Sequence, residues 1–110
     1  MNYMDEDEFS ERAQKIILSA TSAPAGEDIV RECFAACERL LEKNISYGNS
    51  ALEPVRIFSR ASTQEQILVR IDDKLSRLMR GTAFVGDNDI DDLLGYLLLL
   101  KVSISHDADQ

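Results

Sequence analysis

The stretch RIDDKLSRLMR combines carboxylates with cationic side chains in a way that suits a nucleotide site. Adjacent Asp72 and Asp73 are followed by Lys74 and Arg77. Carboxylates bind Mg²⁺, and cationic side chains are also needed because nucleotide phosphates carry more charge than one Mg²⁺ offsets. The simpler alternative is a solvated helical face, on which Asp73 and Arg77 form an i,i+4 ion pair that contributes about 0.2–0.5 kcal/mol. Both interpretations are open from these residues alone.

A second group of carboxylates lies in the stretch DNDIDDLLGYLLLLK. Asp89 and Asp92 are three positions apart, so on a helix they share a face and can bind one cation together. Acidic residues in a first turn also stabilise the helix dipole without any ligand. Four aspartates within six residues exceed that requirement, because like charges three positions apart repel. The excess favours a bound cation.

Other kinds of catalytic site find no support in the sequence. It contains no nucleophile elbow and no glycine-rich phosphate loop, and the single His106 lies near the C-terminus. Cys33 and Cys37 lack the spacing of a zinc site, and we interpret them as reduced residues of the apolar core. If the protein is an enzyme, the remaining mechanism is metal-assisted hydrolysis by a carboxylate-activated water.

Four amphipathic helices are predicted to position these residues. Apolar side chains recur at helical spacing over about 5–20, 27–44, 63–80 and 88–102, and the second segment has the strongest pattern. Between the second and third segments, Gly48 and Asn49 both tolerate a positive φ, and a short helix over 54–59 is predicted to start at Pro54. The predicted fold is an all-α, small four-helix bundle. It forms one domain over 1–110, with flexible tails at 1–4 and 104–110.

Length and charge narrow the functional classes. A chain of 110 residues, 45% of them hydrophobic, can bury only roughly two-thirds of its unfolded surface, which favours a homodimer that extends the core. The formal net charge of −8 argues against a protein that binds the phosphates of a nucleic acid polymer. An acidic protein can still bind a single nucleotide through Mg²⁺. No apolar segment is long enough to cross a bilayer, so we expect a soluble cytoplasmic protein that binds no membrane.

Three stretches taken together resemble a known family. In order, KNISYGNSALEPVRIF, ILVRIDDKLSRL and DNDIDDLLGYLLLLK are similar to nucleotide modification associated domain 1 of phages and bacteria. The last stretch is also similar to all-α nucleoside triphosphate pyrophosphohydrolases of the MazG and dimeric dUTPase type, which hold Mg²⁺ through an E-x-x-E pair and a later E-x-x-D pair. Asp89 and Asp92 match the later pair, with Asp in place of Glu. The earlier pair is not matched, because Asp72 and Asp73 are adjacent and Ser76 follows where a second acid would stand.

The resemblance implies a MazG-like bundle completed by homo-oligomerisation, in the cytoplasm of a bacterial or phage-infected cell. It also implies a nucleotide or nucleotide-derived ligand bound with Mg²⁺, in nucleotide metabolism or DNA modification. The expected metal ligands are Asp72, Asp73, Asp89 and Asp92. The expected nucleotide contacts are Tyr47 on the base, Asn49 and Ser50 on the sugar or base, Lys74 and Arg77 on the phosphates, and Tyr96.

Three activities remain open from the sequence. The first is a Mg²⁺-dependent nucleoside triphosphate pyrophosphohydrolase. The second is a non-catalytic binder that sequesters a nucleotide signal, such as a phage anti-defence sponge, and the third is a structural or adaptor bundle without a ligand. Tyr47 also has a second interpretation, in which its ring caps one end of the core instead of stacking on a base.

Overall fold

The computed structural model describes residues 4–81 and 88–108. These ranges contain four α-helices, α1 (Glu6–Ser22), α2 (Gly26–Tyr47), α3 (Thr63–Arg80) and α4 (Asp89–Ala108), and no β-strand. The all-α prediction is therefore confirmed. Within the described ranges, none of the helices is both long and apolar enough to cross a membrane. The chain divides into two compact units, one ending at Arg39 and the other beginning at Leu40, and each is described by itself.

Local capping groups determine where α1 and α3 begin and where α3 ends. The Asp5 carboxylate accepts a hydrogen bond from the Glu8 amide at 2.8 Å, and the Ser62 hydroxyl accepts one from the Glu65 amide at 3.1 Å. Each bond satisfies an amide that the first helical turn leaves unpaired. At the end of α3, Gly81 has a φ of 65°, which glycine adopts without a Cβ clash.

A tight turn closes the C-terminal end of α2. Gly48 and Asn49 have φ angles of 62° and 65°, as their tolerance of this region predicted. The Asn44 side-chain amide donates to Asn49 Oδ1 at 2.8 Å, and the Asn49 amide donates to the Asn44 carbonyl at 3.2 Å. These two bonds hold the chain in the left-handed conformation after the helix.

The predicted short helix over 54–59 is wrong, because these residues are irregular. The Arg56 guanidinium donates to Thr63 Oγ1 at 3.0 Å and to the Ala61 carbonyl. These bonds tie the segment to the start of α3 without a helical turn. Helix propensity in so short a segment is too weak to outweigh such contacts.

The antiparallel pair α3–α4 carries the core of the second unit. Ile67 and Ile71 of α3 are 1% and 7% exposed. Three polar pairs cross the interface in step, Arg77 with Asp89, Lys74 with Asp92 and Arg70 with Tyr96, and Gln64 bonds to Asp107 further along. In these three pairs, each step towards the start of α3 is matched by an equal step towards the end of α4, which defines the antiparallel register.

The helix α4 continues to Ala108, past the end predicted at Val102. Ser103 is buried, and the Gln64 side chain donates to the Asp107 carboxylate. Contact with α3 therefore keeps this polar end of the sequence helical, where its composition alone predicted a tail from residue 104.

The apolar stripe of α2 is exposed along much of its length. Ile29 and Phe34 are each 57% exposed, and Leu41 is 59% exposed. Cys33 and Cys37 lie on the same stripe and are exposed free thiols. The prediction that both cysteines are core residues is therefore wrong. Helical periodicity correctly predicted an apolar face, but it did not require that this chain cover that face.

Candidate functional site

A cluster of charged side chains lies where the end of α3 meets the start of α4. The Asp89 side chain is 2% exposed, and its Oδ1 lies 3.4 Å from Arg77 Nε and 3.6 Å from Lys74 Nζ. Lys74 Nζ also lies 3.2 Å from Asp92 Oδ2. Lys74 thus bridges two carboxylates, one of them almost wholly buried. We call these four residues, with Lys43 described next, the α3–α4 charge cluster.

A third cation reaches the cluster from α2. Lys43 Nζ lies 3.3 Å from Asp92 Oδ1. A Cβ added at Gly95 of α4 would lie 3.2 Å from Leu40 Cδ2, so the glycine leaves room for the α2 side chains. Lys43 was not among the site residues predicted from the sequence. The signal that could have found it is its place at the start of the K-x-x-x-YGNS pattern.

The Asp89 carboxylate has unused bonding capacity. Both of its oxygens are buried without a hydrogen-bond partner among the described residues, and Lys74 and Arg77 approach Oδ1 at ion-pair distances. Buried polar atoms are nearly always hydrogen-bonded, so such an atom requires an explanation. A metal ion or a ligand donor at Oδ2 would supply the missing interaction.

The N-terminus of α4 adds a positive potential at the same place. Asn88 caps the helix, because its Oδ1 accepts a hydrogen bond from the Asp91 amide at 3.1 Å. The first amide groups of a helix point outward and carry partial positive charge, which favours anions. This end of α4 therefore suits both the buried Asp89 carboxylate and a phosphate beside it.

The ion pairs shift the pKa values of two cluster residues. Burial alone would lower the pKa of Lys74, but the hydrogen bond and charge of Asp92 outweigh it and raise the pKa above the usual lysine value. Burial alone would likewise raise the pKa of Asp92, but hydrogen bonds from Lys74 and Lys43 hold it below the usual aspartate value. Both groups are therefore charged at neutral pH.

We expect the stability that Asp92 and Lys74 contribute to be constant near neutral pH and to fall at both extremes. The pKa of Asp92 is lower in the folded state, so its contribution is present above about pH 3.9 and is lost as pH falls through the folded value. The pKa of Lys74 is higher in the folded state, so its contribution is present below about pH 10.4 and is lost as pH rises through the folded value. Urea unfolding at a series of pH values measures both contributions. If Asp92→Asn lost as much unfolding free energy at acidic pH as the wild type, the assignment to Asp92 would be contradicted.

The structure brings together four of the predicted site residues, Lys74, Arg77, Asp89 and Asp92. Asp72 and Asp73 are exposed, and Asp72 lies about 200° around α3 from Lys74. Among residues 4–81 and 88–108, no group of three or more acidic, histidine or cysteine side chains is arranged to hold a metal ion. The described carboxylates at the cluster are thus Asp89 and Asp92.

Tyr47 ends α2 one turn beyond Lys43, on the same face of the helix. The residue as a whole is 68% exposed, so it does not cap the core. Of the other predicted loop contacts, Asn49 uses its side-chain oxygen to accept the bond from Asn44, and Ser50 is exposed. Of these three residues, Tyr47 at the end of α2 is therefore the best placed to contact a ligand held by Lys43.

Tyr96 lies one turn after Asp92 and faces α3. The Arg70 guanidinium carbon is 5.9 Å from the centre of the Tyr96 ring, and Arg70 Nη1 is 3.4 Å from the Tyr96 hydroxyl. The ring therefore already has a cationic partner. Its predicted contact with a ligand would have to use the remaining ring edge.

No protein-family model matches this chain, and no curated protein or solved structure matches it. The resemblance to nucleotide modification associated domain 1 and to MazG-type enzymes therefore stays a prediction. The geometry of the α3–α4 charge cluster is therefore the basis for a function.

Proposed function

We propose that the protein binds a nucleoside polyphosphate together with Mg²⁺ at the α3–α4 charge cluster. The observation that carries the proposal is the position of Lys74, whose Nζ lies 3.6 Å from the buried Asp89 carboxylate and 3.2 Å from that of Asp92. A cation is already held between the two carboxylates that would bind a metal. The same cation is within reach of any phosphate that arrives with the metal.

Charge balance selects the complex of metal and nucleotide over either component alone. Three cations, Lys43, Lys74 and Arg77, lie against the carboxylates of Asp89 and Asp92. Mg²⁺ alone would add two positive charges beside these three cations. A triphosphate alone would place its excess negative charge against the two carboxylates. When Mg²⁺ binds with the triphosphate, the metal charge offsets much of the phosphate charge. Burying an uncompensated charge costs several kcal/mol, so the balanced complex should bind best.

The residues have distinct roles in this proposal. Asp89 and Asp92 hold Mg²⁺, which would offset the phosphate charge and polarise a bound water. Lys74, Arg77 and Lys43 hold phosphate oxygens, and Tyr47 stacks on the base. The lack of a hydrogen-bond partner at either oxygen of Asp89 supports the metal assignment. We place the role in (deoxy)nucleotide metabolism or DNA modification, in the cytoplasm of a bacterial or phage-infected cell, as the resemblance implies.

Cleavage to a monophosphate and pyrophosphate is the activity that the resemblance implies. Sequestration of the nucleotide without turnover is a second candidate, and a specific observation favours it. Lys74 lies between Asp89 and Asp92, while Asp72 and Asp73 are exposed instead of adding carboxylates to the cluster. A site with few acids and several cations holds phosphates better than it activates water.

Thermal unfolding with a panel of NTPs and dNTPs tests the proposal. With Mg²⁺ and a nucleotide at 100 times its Kd, native-state binding stabilises by about 2.7 kcal/mol. We expect this shift for at least one nucleotide with Mg²⁺, and none with Mg²⁺ alone or with the nucleotide in EDTA. Pyrophosphate assayed in the same samples separates the hydrolase from the binder. If no nucleotide stabilises the protein, the ligand-free structural role stands.

Replacing Tyr47 by Ala should weaken nucleotide binding without destabilising the fold. Base–aromatic stacking contributes about 1–3 kcal/mol, and Tyr47 is mostly exposed, so little packing is lost. Calorimetric titration gives the affinity and urea unfolding gives the stability. Tyr47→Phe keeps the ring and should bind like the wild type. A stability loss in Tyr47→Ala with unchanged affinity would show that the ring is structural.

A further inference from the structure

Asn49 uses most of its polar groups to hold its own position after the end of α2. Its backbone amide donates to the Asn44 carbonyl at 3.2 Å, and its carbonyl accepts hydrogen bonds from the amides of Leu52 and Glu53 at 3.1 and 2.9 Å. Its side-chain oxygen accepts a hydrogen bond from Asn44 Nδ2 at 2.8 Å. Within residues 4–81 and 88–108, the polar group of Asn49 that these bonds leave without a partner is its side-chain NH₂.

The bond to Asn44 determines which end of the Asn49 amide a ligand would meet. The oxygen and the nitrogen branch from the same planar carbon, so an oxygen turned towards Asn44 leaves the NH₂ turned away from it. The backbone of Asn49 is fixed at a φ of 65°, and the residue is only partly exposed, which restricts the rotation of its side chain. Because the NH₂ group only donates hydrogen bonds, Asn49 presents a donor to a ligand.

This donor lies beside the ring that we propose to stack on a base. Asn44 and Tyr47 are three positions apart on α2, so their side chains are neighbours on the helix surface. Lys43 lies four positions before Tyr47, and its Nζ is 3.3 Å from Asp92 Oδ1 in the charge cluster. This end of α2 thus brings together a cation for phosphate, an aromatic ring and an oriented amide. A base stacked on Tyr47 keeps its edge free, and a polar group beside the ring can contact that edge.

The common bases differ in the exocyclic group that such an amide would meet. Guanine carries a carbonyl oxygen at C6, and thymine and uracil carry one at C4, where adenine and cytosine carry an amino group. A carbonyl accepts a hydrogen bond from the NH₂ of Asn49, whereas an amino group would place two donors face to face and leave both unpaired. An asparagine that reads adenine uses both ends of its amide, but the oxygen of Asn49 is directed at Asn44.

We propose that Asn49, oriented by Asn44, selects nucleotides of guanine, thymine or uracil, whose bases carry this carbonyl, over nucleotides of adenine and cytosine. The inference rests on the proposed binding of a nucleoside polyphosphate at the α3–α4 charge cluster, and it names the class of base. Asn49 contacts the edge of the base directly. Asn44 does not touch the nucleotide and is a positioning residue, because it acts by fixing the direction of the Asn49 amide.

Calorimetric titration in the presence of Mg²⁺ tests this selection. The ligands are the α,β-methylene analogues of GTP, ATP, UTP and CTP and of their deoxy forms, which cannot be split into a monophosphate and pyrophosphate. Comparing guanine with adenine, and uracil with cytosine, keeps the ring size constant, so the ratio of the two affinities measures the contact at the edge. We expect the carbonyl base of each pair to bind roughly tenfold more tightly, because it forms a hydrogen bond where the amino base leaves donors unpaired.

Two failures of this titration have different meanings. Equal affinities within both pairs, or tighter binding of adenine and cytosine, would overturn the inference and leave nucleotide binding itself in place. If none of the analogues bound, the proposed function would fail, and this inference would fail with it.

Replacing Asn44 by Asp should reverse the selection. A carboxylate only accepts hydrogen bonds, so Asn49 should turn its NH₂ towards the new carboxylate and its oxygen towards the base. Adenine and cytosine should then bind more tightly than guanine and uracil. Because each ratio is measured within one variant, a general loss of affinity or stability cancels. Ser46→Asp adds the same charge about 200° around α2 from Asn44 and should keep the wild-type preference.

Replacing Asn49 by Gly should abolish the selection. Glycine adopts the φ of 65° found at this position without strain, so the variant loses the amide and keeps the backbone. Both pairs of bases should then bind with an affinity ratio close to one. A carbonyl preference that survived in Asn49→Gly, or that was not reversed in Asn44→Asp, would show that the oriented amide does not select the base and would overturn the inference.

Discussion

Replacing Asp89 by Asn should lower the free energy of unfolding by about 3 kcal/mol, the lower end of the cost of breaking a buried ion pair. The Asp89 side chain is 2% exposed, and its removal leaves Lys74 and Arg77, 13% and 17% exposed, without their common carboxylate. Their slight exposure to solvent places the expected cost at that lower end. Since a domain of this kind has only about 5–15 kcal/mol of stability in total, urea unfolding would show the loss clearly.

Asp7→Asn is the matched control for this effect. Asp7, like Asp89, lies in the first turn of its helix, but it is exposed, so the control reproduces the loss of a favourable dipole interaction. A surface substitution of this kind should change the stability by no more than about 0.5 kcal/mol. Equal stability losses in Asp89→Asn and Asp7→Asn would show that the cluster does not stabilise the fold.

Replacing Lys74 by Met should move metal affinity and nucleotide affinity in opposite directions. The ammonium lies between the carboxylates of Asp89 and Asp92, so its removal should raise the affinity for Mn²⁺ alone, measured by electron paramagnetic resonance. It should also remove a charge-assisted hydrogen bond to phosphate of about 1.5–3 kcal/mol, which corresponds to roughly a ten- to hundredfold loss of nucleotide affinity. Calorimetric titration in the presence of Mg²⁺ measures that loss.

Two further variants separate this effect from general changes in charge. Lys101→Met removes an exposed cation from α4 and should change neither affinity, whereas Lys74→Arg keeps the charge and should preserve most of the nucleotide affinity. If Lys74→Met left the Mn²⁺ affinity unchanged, Lys74 would not be competing with a metal for the two carboxylates. If the nucleotide affinity were unchanged, Lys74 would not contact phosphate.

The sequence predicted the helices well because their signals are local. Apolar periodicity and the N-caps Asp5 and Ser62 lie within the segments they define, and the observed helices begin beside those caps. The failures came from longer-range contacts. The extension of α4 depends on Gln64 of α3, and the irregular segment after Pro54 is held by the contact of Arg56 with Thr63.

The candidate site was predicted only in part, for a related reason. The spacing of Asp89 and Asp92 places them on one helical face, but periodicity within α4 cannot say which face of α3 lies opposite. The antiparallel register selects Lys74 and Arg77 as their partners and leaves Asp72 exposed. Contacts between distant segments of one chain cannot be read from the pattern within each segment.

A crystal structure with Mn²⁺ and the most stabilising nucleotide would test the central claim most directly. The anomalous signal of Mn²⁺ should lie between the carboxylates of Asp89 and Asp92, with the Lys74 ammonium moved onto a phosphate oxygen. Mn²⁺ and nucleotide bound elsewhere, with Lys74 still bridging Asp89 and Asp92, would contradict the account.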